Sequence, residues 1–226
     1  DLKGTFNLHA SLLPQYRGAA PINHALINGE KETGVTTFFL DKEIDTGRII
    51  LQKKCDIINE DDAESLHDKL MYLGSDLIIE TLEAIKDNSQ TTISQSELLV
   101  SELDLKPAPK IFKTDCKIDW NNDTQKILNT IRGLSPYPAA FSLLRKKGEE
   151  KSFYIKIFKA KVIDKSTENY TAGSILTDSK SYFHVFTTDG LISIENVQLE
   201  GKKRMNTIEF LRGFKLTQDF FFETLS

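Results

Sequence analysis

Asn7 and His9 stand two residues apart in the run Thr5-Phe6-Asn7-Leu8-His9, which alternates as a short strand. Side chains alternate across a strand with period two, so the amide and the imidazole share one face. They also lie at the strand's C-terminal end, where open α/β sheets place their ligands. Further along, Asp41-Lys42-Glu43-Ile44-Asp45-Thr46-Gly47 offers three carboxylates in a tight connection between two strand-like runs. An amide, an imidazole and a carboxylate brought together can run acyl transfer without a covalent enzyme intermediate. The amide and a protonated histidine donate to a developing oxyanion, while the carboxylate orients and charges the histidine or receives a proton from an attacking amine.

Each element also has a plainer reading. His9 alone reads as a structural histidine, Asp45-Thr46-Gly47 alone as a turn, and Asn7 as a partner for neighbouring backbone. His24 and His67 fall in helical segments and read as surface residues, and His184 lies in a strand far from any carboxylate cluster. Ser11 lacks the G-x-S-x-G elbow of a serine nucleophile. The chain has no P-loop, no G-x-G-x-x-G and no Cys/His spacing suited to a metal, so no metal is expected.

The elements that must position these groups follow from periodicity and punctuation. Ala19–Asn28 reads as a helix that stops at Asn28-Gly29. Val35–Leu40 and Arg48–Ile58 read as strands joined by a short connection, hence an antiparallel hairpin. From Asp62 to Lys86, Leu66, Leu70, Leu73, Leu77, Leu82 and Ile85 follow helical spacing, with Asp61, Asp62 and Glu64 at the positive end of the helix dipole. Beyond residue 96, Asp123–Arg132 reads as a helix capped by Asp123 and ended by Gly133. Strand-like runs follow at Ala140–Leu144, Phe153–Val162, Gly173–Leu176, Tyr182–Thr187 and Leu191–Val197. Asn206–Leu211 closes as a helix with Asn206 and Glu209 at capping-box spacing. Five short strands with a helix is the count for a small OB-like Greek-key β-barrel.

The chain has 226 residues, 39% hydrophobic and 27% charged, with enough apolar residues for a sizeable core. No run approaches the ~18 apolar residues of a membrane span. Cys55 and Cys116 lie far apart without ligand-spaced partners, which fits a reducing, cytoplasmic setting. Charge is uneven. Residues 1–95 carry 9 basic and 16 acidic side chains, and residues 96–226 carry 20 and 17. The seam falls in residues 96–115, where Leu105-Lys-Pro-Ala-Pro-Lys-Ile111 reads as an extended linker. The expected organisation is an α/β piece over residues 1–95, the linker, and a barrel over residues 116–226.

Asn7-Leu8-His9-Ala10-Ser11-Leu12-Leu13-Pro14-Gln15-Tyr16-Arg17-Gly18-Ala19-Ala20-Pro21 resembles the N-x-H-x-S-L-L-P-x-x-R-G-x-x-P signature of folate-dependent formyltransferases. Gly29-Glu30-Lys31-Glu32-Thr33-Gly34-Val35-Thr36 and Ile44-Asp45-Thr46-Gly47 resemble that family's next two motifs, in order. Three linked motifs are far more specific than one. Lys106-Pro-Ala-Pro-Lys110-Ile-Phe-Lys113, Ile118-Asp119-Trp120 and Pro136-Tyr137-Pro138 look like the linker and C-terminal barrel of the branch acting on methionyl-tRNA, and Gly201-Lys202-Lys203-Arg204 like its basic hairpin.

The resemblance implies a Rossmann-like α/β catalytic domain, here without its N-terminal part, followed by the OB-like barrel. It implies Asn7, His9 and Asp45 as the catalytic triplet and Ser11, Leu12, Leu13, Pro14, Arg17, Gly18, Thr46 and Gly47 as substrate-binding residues. The implied reaction is formyl transfer from 10-formyltetrahydrofolate to the α-amino group of methionyl-initiator tRNA. Lys110, Lys113, Lys202, Lys203 and Arg204 would contact phosphates of the tRNA. A nucleotide-sugar amine is the alternative acceptor. A third reading is that this chain alone is inactive and binds RNA without catalysis. The intact enzyme is expected as a monomer. The exposed edge of the first strand invites rearrangement or self-association here.

Overall fold

The computed structural model describes residues 4–98, 101, 105–164 and 171–224. Part of the expected linker, residues 99–100 and 102–104, lies outside them. The chain divides into two compact units, Asp1–Ile111 and Phe112–Ser226.

In the first unit, β1 (Phe6–His9), β2 (Glu32–Phe39) and β3 (Ile49–Asp56) form a sheet in that order, antiparallel throughout. The hairpin of β2 and β3 is therefore present, from Glu32↔Asp56 to Phe38↔Ile49 with one irregularity beside Phe38. β1 keeps regular register with β2, from Phe6↔Phe39 to His9↔Thr36, so this segment is ordered against the sheet rather than rearranged. No parallel pair occurs between named strands of this unit among the described residues. The unit is mixed α/β in its elements.

α1 (Pro21–Ile27) starts with proline in its first turn, where the missing N–H costs nothing. α2 (Ala63–Lys86) is capped by Asp62, which accepts from Ser65 N while the Ser65 hydroxyl returns to Asp62 N. Its buried line runs Leu66, Leu70, Gly74, Leu77, Thr81. This departs from the expected line at its end: Leu82 is exposed, and Thr81 is buried instead. Steps of four and three keep one face turned to the sheet, and the Thr81 hydroxyl donates to Leu77 O and meets the Thr37 hydroxyl at 2.8 Å. Asp61, just ahead of the helix, is buried. It accepts from Ile58 N, from the Ser65 hydroxyl and from Lys69 Nζ at 2.7 Å, fastening β3 to α2.

Within the expected linker, the stretch from Lys106 to Ala108 is laid against this unit. Ala108 is fully buried, Ala108 N donates to Arg17 O, Ala20 N donates to Ala108 O, and Tyr16 N donates to Lys106 O. The boundary between units accordingly falls after Ile111.

The second unit begins with a 3-10 turn at Lys113–Cys116 and α3 (Thr124–Leu134), capped by Asp123 through Lys126 N. Gly133 lies inside α3 rather than past its end, and Ser135 closes the helix ahead of Pro136. Gly133 is buried there as a helical residue and is not a left-handed stop. The strands are β4 (Ala140–Lys146), β5 (Ser152–Asp164), β6 (Ile175–Thr177), β7 (Phe183–Phe186), β8 (Leu191–Leu199), β9 (Met205–Asn206) and β10 (Phe220–Phe222). α4 (Thr207–Gly213) carries the Asn206–Glu209 capping box.

The sheet runs β10-β4-β5-β8-β7-β6 with β9 on β8. It nearly closes where Ser174 bridges Phe221 and Phe222 N donates to Gly173 O. Sequence reasoning expected five strands and missed β9 and β10, both too short to show a period. The interior holds Trp120, whose indole stacks on Phe222 at 4.9 Å and donates to the Ser142 hydroxyl.

Candidate active site

The loop after β1 is pinned from below by β2 and β3. Thr36 Oγ1 donates to Ser11 O and accepts from Leu13 N, and Gln52 Nε2 donates to Leu13 O at 2.8 Å. The Ser11 hydroxyl donates to Gln15 O. Ser11, Leu13 and Pro14 are buried in this scaffold, with Leu12 partly so. Their visible work is to fix the loop's course.

That course brings Tyr16 over His9. His9 is buried, and its Nε2 lies 2.8 Å from Tyr16 O. A carbonyl only accepts, so this nitrogen carries a proton. The other ring nitrogen, Nδ1, lies 3.6 Å from Asp45 Oδ2. The ring's edge meets Phe38 at 6.5 Å between centroids. Tyr16 sits at φ 62, in the left-handed region that bulky residues avoid, so the loop holds it there against its preference. Its hydroxyl donates to Glu30 Oε1, which also takes Lys106 Nζ at 2.6 Å. Burial and the bond to Glu30 push the Tyr16 phenol well above its ordinary range.

Asp45 comes from the connection between β2 and β3. It too is left-handed, at φ 57. Its Oδ2 accepts from Gly18 N at 3.0 Å as well as facing His9. Two close backbone approaches demand glycine here. A Cβ on Gly47 would stand 1.7 Å from Phe39 O, and one on Gly18 would stand 2.4 Å from Ala108 O. Thr46 donates its hydroxyl to Glu43 O.

Arg17 donates from both Nε and Nη2 to Gln95 Oε1, at 2.9 and 2.7 Å. Burial draws its guanidinium below the usual value, opposed by the charge of Asp45, and an arginine so placed stays cationic. Gln95 Nε2 in turn donates to Asp45 O and Gly47 O, both at 2.8 Å. Sequence reasoning missed Gln95, which lies in a polar stretch without a motif.

His9, Asp45, Gly18 and Arg17 are thus drawn into one cluster. Asn7 shares the face of His9 on β1 but is exposed, and its Oδ1 accepts from Leu8 N. Its Nδ2 has no protein partner among the described residues. A cavity of about 820 Å³ opens beside the loop, lined by Leu12, Gln15, Tyr16, Glu30, Thr33 and Lys106, and by none of Asn7, His9 and Asp45. Among the described residues no three His, Cys, Asp or Glu side chains group as metal ligands. No helix of the described residues is long and apolar enough to cross a membrane.

The basic residues divide between the units. Lys110 is exposed in the first, while Lys113, Lys202, Lys203 and Arg204 are exposed in the second. Lys113 Nζ lies 5.4 Å from the Tyr154 ring. β8 and β9 pair antiparallel around Gly201-Lys202-Lys203-Arg204, making this a hairpin tip. Arg204 is turned down onto the barrel, donating to Asn196 Oδ1 with its guanidinium 4.4 Å from the Phe158 ring centroid. Lys202 and Lys203 border a groove of about 470 Å³ with Met205, Phe210, Arg212 and Phe214. Arg212 was not singled out from sequence, because its approach to the hairpin depends on how α4 packs.

Comparison with known proteins gives two family matches, to formyl transferase over residues 2–82 and to the formyl transferase C-terminal domain over residues 110–215. The methionyl-tRNA formyltransferase of Phocaeicola vulgatus is 52% identical over 216 residues, covering 96% of this chain and 66% of that protein. Its counterpart from Porphyromonas gingivalis is 43% identical, covering 97% and 68%. The chain thus spans about two thirds of the length of the curated relatives it matches. Among solved structures, HypX from Aquifex aeolicus in complex with tetrahydrofolic acid superposes with a TM-score of 0.65 at 19% identity, over 92% of this chain and 34% of that one. The sugar 3N-formyl transferase WlaRD gives 0.60 at 23%, over 88% and 66%. At these identities the structural likeness concerns the fold alone.

Proposed function

The chain belongs to the formyltransferase family, and from that premise we propose that it carries the catalytic triplet and the RNA-binding barrel of an enzyme that formylates methionyl-initiator tRNA from 10-formyltetrahydrofolate. The observation that carries this reading is the His9–Asp45 contact, tied by Gly18 N to the same carboxylate, at the meeting of the three motifs. We read the first unit as Rossmann-like and the second as OB-like on the same premise.

An exposed amide beside an imidazole–carboxylate pair suits an acyl donor whose carbonyl oxygen gains charge during transfer. 10-Formyltetrahydrofolate supplies, when bound, a formyl carbon open to attack by the neutral amine. Asn7 Nδ2 is the donor left available for the developing oxyanion. His9, held between Tyr16 O and Asp45, contributes positive charge to the developing oxyanion when protonated. Asp45 stabilises the imidazolium and accepts the proton lost by the amine, directly or through water. Ser11, Leu12, Leu13, Pro14, Arg17, Gly18, Thr46 and Gly47 shape the substrate-binding loops. Lys110, Lys113, Lys202, Lys203 and Arg204 contact phosphates of the acceptor RNA.

The test is a formyl-transfer assay on the full-length protein and on this chain, with charged initiator tRNA and an amino-sugar nucleotide in parallel. The full-length protein is expected to formylate the tRNA, and this chain alone to bind RNA without turnover. Turnover of the amino-sugar nucleotide in preference would replace this reading with sugar formylation.

A further inference from the structure

The catalytic carboxylate depends on a turn that the backbone does not favour. Asp45 at φ 57 occupies the left-handed region, which residues with a Cβ adopt sparingly and keep where their surroundings hold them there. Within Asp45-Thr46-Gly47, the side-chain contact of Thr46 is local, to Glu43 O two positions before Asp45. Across the chain, one side chain grips the turn at both ends. Gln95 Nε2 donates to Asp45 O and to Gly47 O, each at 2.8 Å.

Gln95 is 2% exposed, and every slot of its amide is used. Its oxygen takes the two Arg17 bonds and its nitrogen gives the two turn bonds. The partners fix which end is which. Reversing the amide would set NH₂ against a guanidinium and oxygen against two carbonyls. Gln95 is itself anchored, because it follows a bridge in which Ile49 and Ile93 exchange both backbone hydrogen bonds, at 2.9 and 3.0 Å. That bridge starts β3 immediately after the turn. Arg17 belongs to the loop that delivers Tyr16 O to His9 and Gly18 N to Asp45. Gln95 therefore joins the two loops that must agree for the imidazole and the carboxylate to meet.

We propose that Gln95 is a positioning residue for the His9–Asp45 pair: its amide holds the left-handed turn so that the Asp45 carboxylate is presented to Gly18 N–H and to the His9 ring. The inference deepens the formyl-transfer reading and rests on it for its kinetic consequence, while its geometric consequence stands apart from any activity. Gln95 touches neither His9 nor the Asp45 carboxylate, so it acts on orientation. Displacements of about 1 Å in such a site cost about 10²-fold in rate.

Gln95→Glu isolates the role, because a carboxylate of the same shape keeps the Arg17 bonds but cannot donate to the two carbonyls. Gln95→Ala removes both sets. In the full-length protein, both variants are expected to lower kcat by about 10²-fold with KM changed by less than about threefold, since positioning acts on the chemical step. Amide hydrogen exchange gives the second readout. Gly18 N–H, whose bond goes to Asp45 Oδ2, is expected to lose protection in Gln95→Glu, while amides in the β2–β3 ladder keep theirs. Parental kcat in Gln95→Glu, a loss confined to KM, or an unchanged Gly18 amide would overturn the proposal. Absence of formyl transfer by the parent would instead refute the functional reading, and the Gly18 amide would still decide the role of Gln95.

Discussion

The catalytic reading turns on how three side chains share their hydrogen bonds. Both His9 nitrogens face protein groups, whereas Asn7 Nδ2 has no protein partner among the described residues. On the proposed reading, Asn7 is the donor ready for an oxyanion and His9 supports it from behind. Removing one preorganised donor of this kind costs about 10²–10³ in rate. Asn7→Ala in the full-length protein is expected to lower kcat by that range while leaving thermal stability close to parental, because the side chain is exposed. A kcat loss below about tenfold would exclude the direct role. Asn7, His9 and Asp45 stand out in the sequence because each falls within a motif, and the structure brings His9 and Asp45 together. The Tyr16 carbonyl does not stand out there, because every residue has one and only the loop's left-handed bend aims this one at His9.

Elements are held by polar contacts as much as by apolar packing. The Thr37–Thr81 pair joins the centre of β2 to the last turns of α2, and both residues are fully buried. Thr81→Val keeps the shape but strands the Thr37 hydroxyl, whose other contact to Leu51 O is long at 3.5 Å. The expected loss is about 1–3 kcal/mol in denaturant unfolding. Adding Thr37→Val should recover most of it, since replacing both partners is nearly neutral. Asp61 gives a pH dependence. Burial raises its pKa, but Lys69, Ile58 N and Ser65 outweigh burial and hold the carboxyl below the ordinary carboxylate range. A depressed carboxylate contributes stability above its unfolded pKa of about 4, and that contribution fades as pH falls through the lowered folded value. Asp61→Asn is therefore expected to be less stable at neutral pH and to lose less on acidification. Parallel acid unfolding profiles for the two proteins would refute this.

The division between Ile111 and Phe112 sharpens the charge asymmetry. Residues 1–111 carry 11 basic and 19 acidic side chains, and residues 112–226 carry 18 and 14. On the proposed reading, the acidic unit carries the His9–Asp45 cluster and the basic unit carries the hairpin, whose charge suits a polyanionic acceptor. Lys202 and Lys203 stand at the hairpin tip beside the groove that Arg212 also borders, whereas Arg204 is laid onto the barrel. Charge reversal at Lys202 and Lys203 is expected to weaken tRNA binding and to flatten its logarithmic salt dependence by about one unit for each phosphate no longer neutralised. Arg204→Ala is expected to weaken RNA binding and, through the lost contacts to Asn196 and Phe158, to lower barrel stability as well. An unchanged salt slope after reversal of both lysines would remove the hairpin from the RNA-binding surface.

Local interactions account for what is legible in the order of residues alone. The caps at Asp62, Asp123 and Asn206 bond to backbone three residues ahead, and β2 pairs with β3 across a short turn. Such features lie within a few positions of each other, so residue identity and period suffice to locate them. Folding in three dimensions decided the remainder. Gln95 meets Arg17 from 78 residues away and Asp45 from 50, and Thr81 meets Thr37 from 44. α3 runs through Gly133 to Leu134, and β10 is a strand because β4 offers it an edge. Bonds of that reach have no local signature. Whether a polar side chain is solvated or buried with every partner satisfied is settled when distant segments meet, and here that meeting sets the turn carrying Asp45.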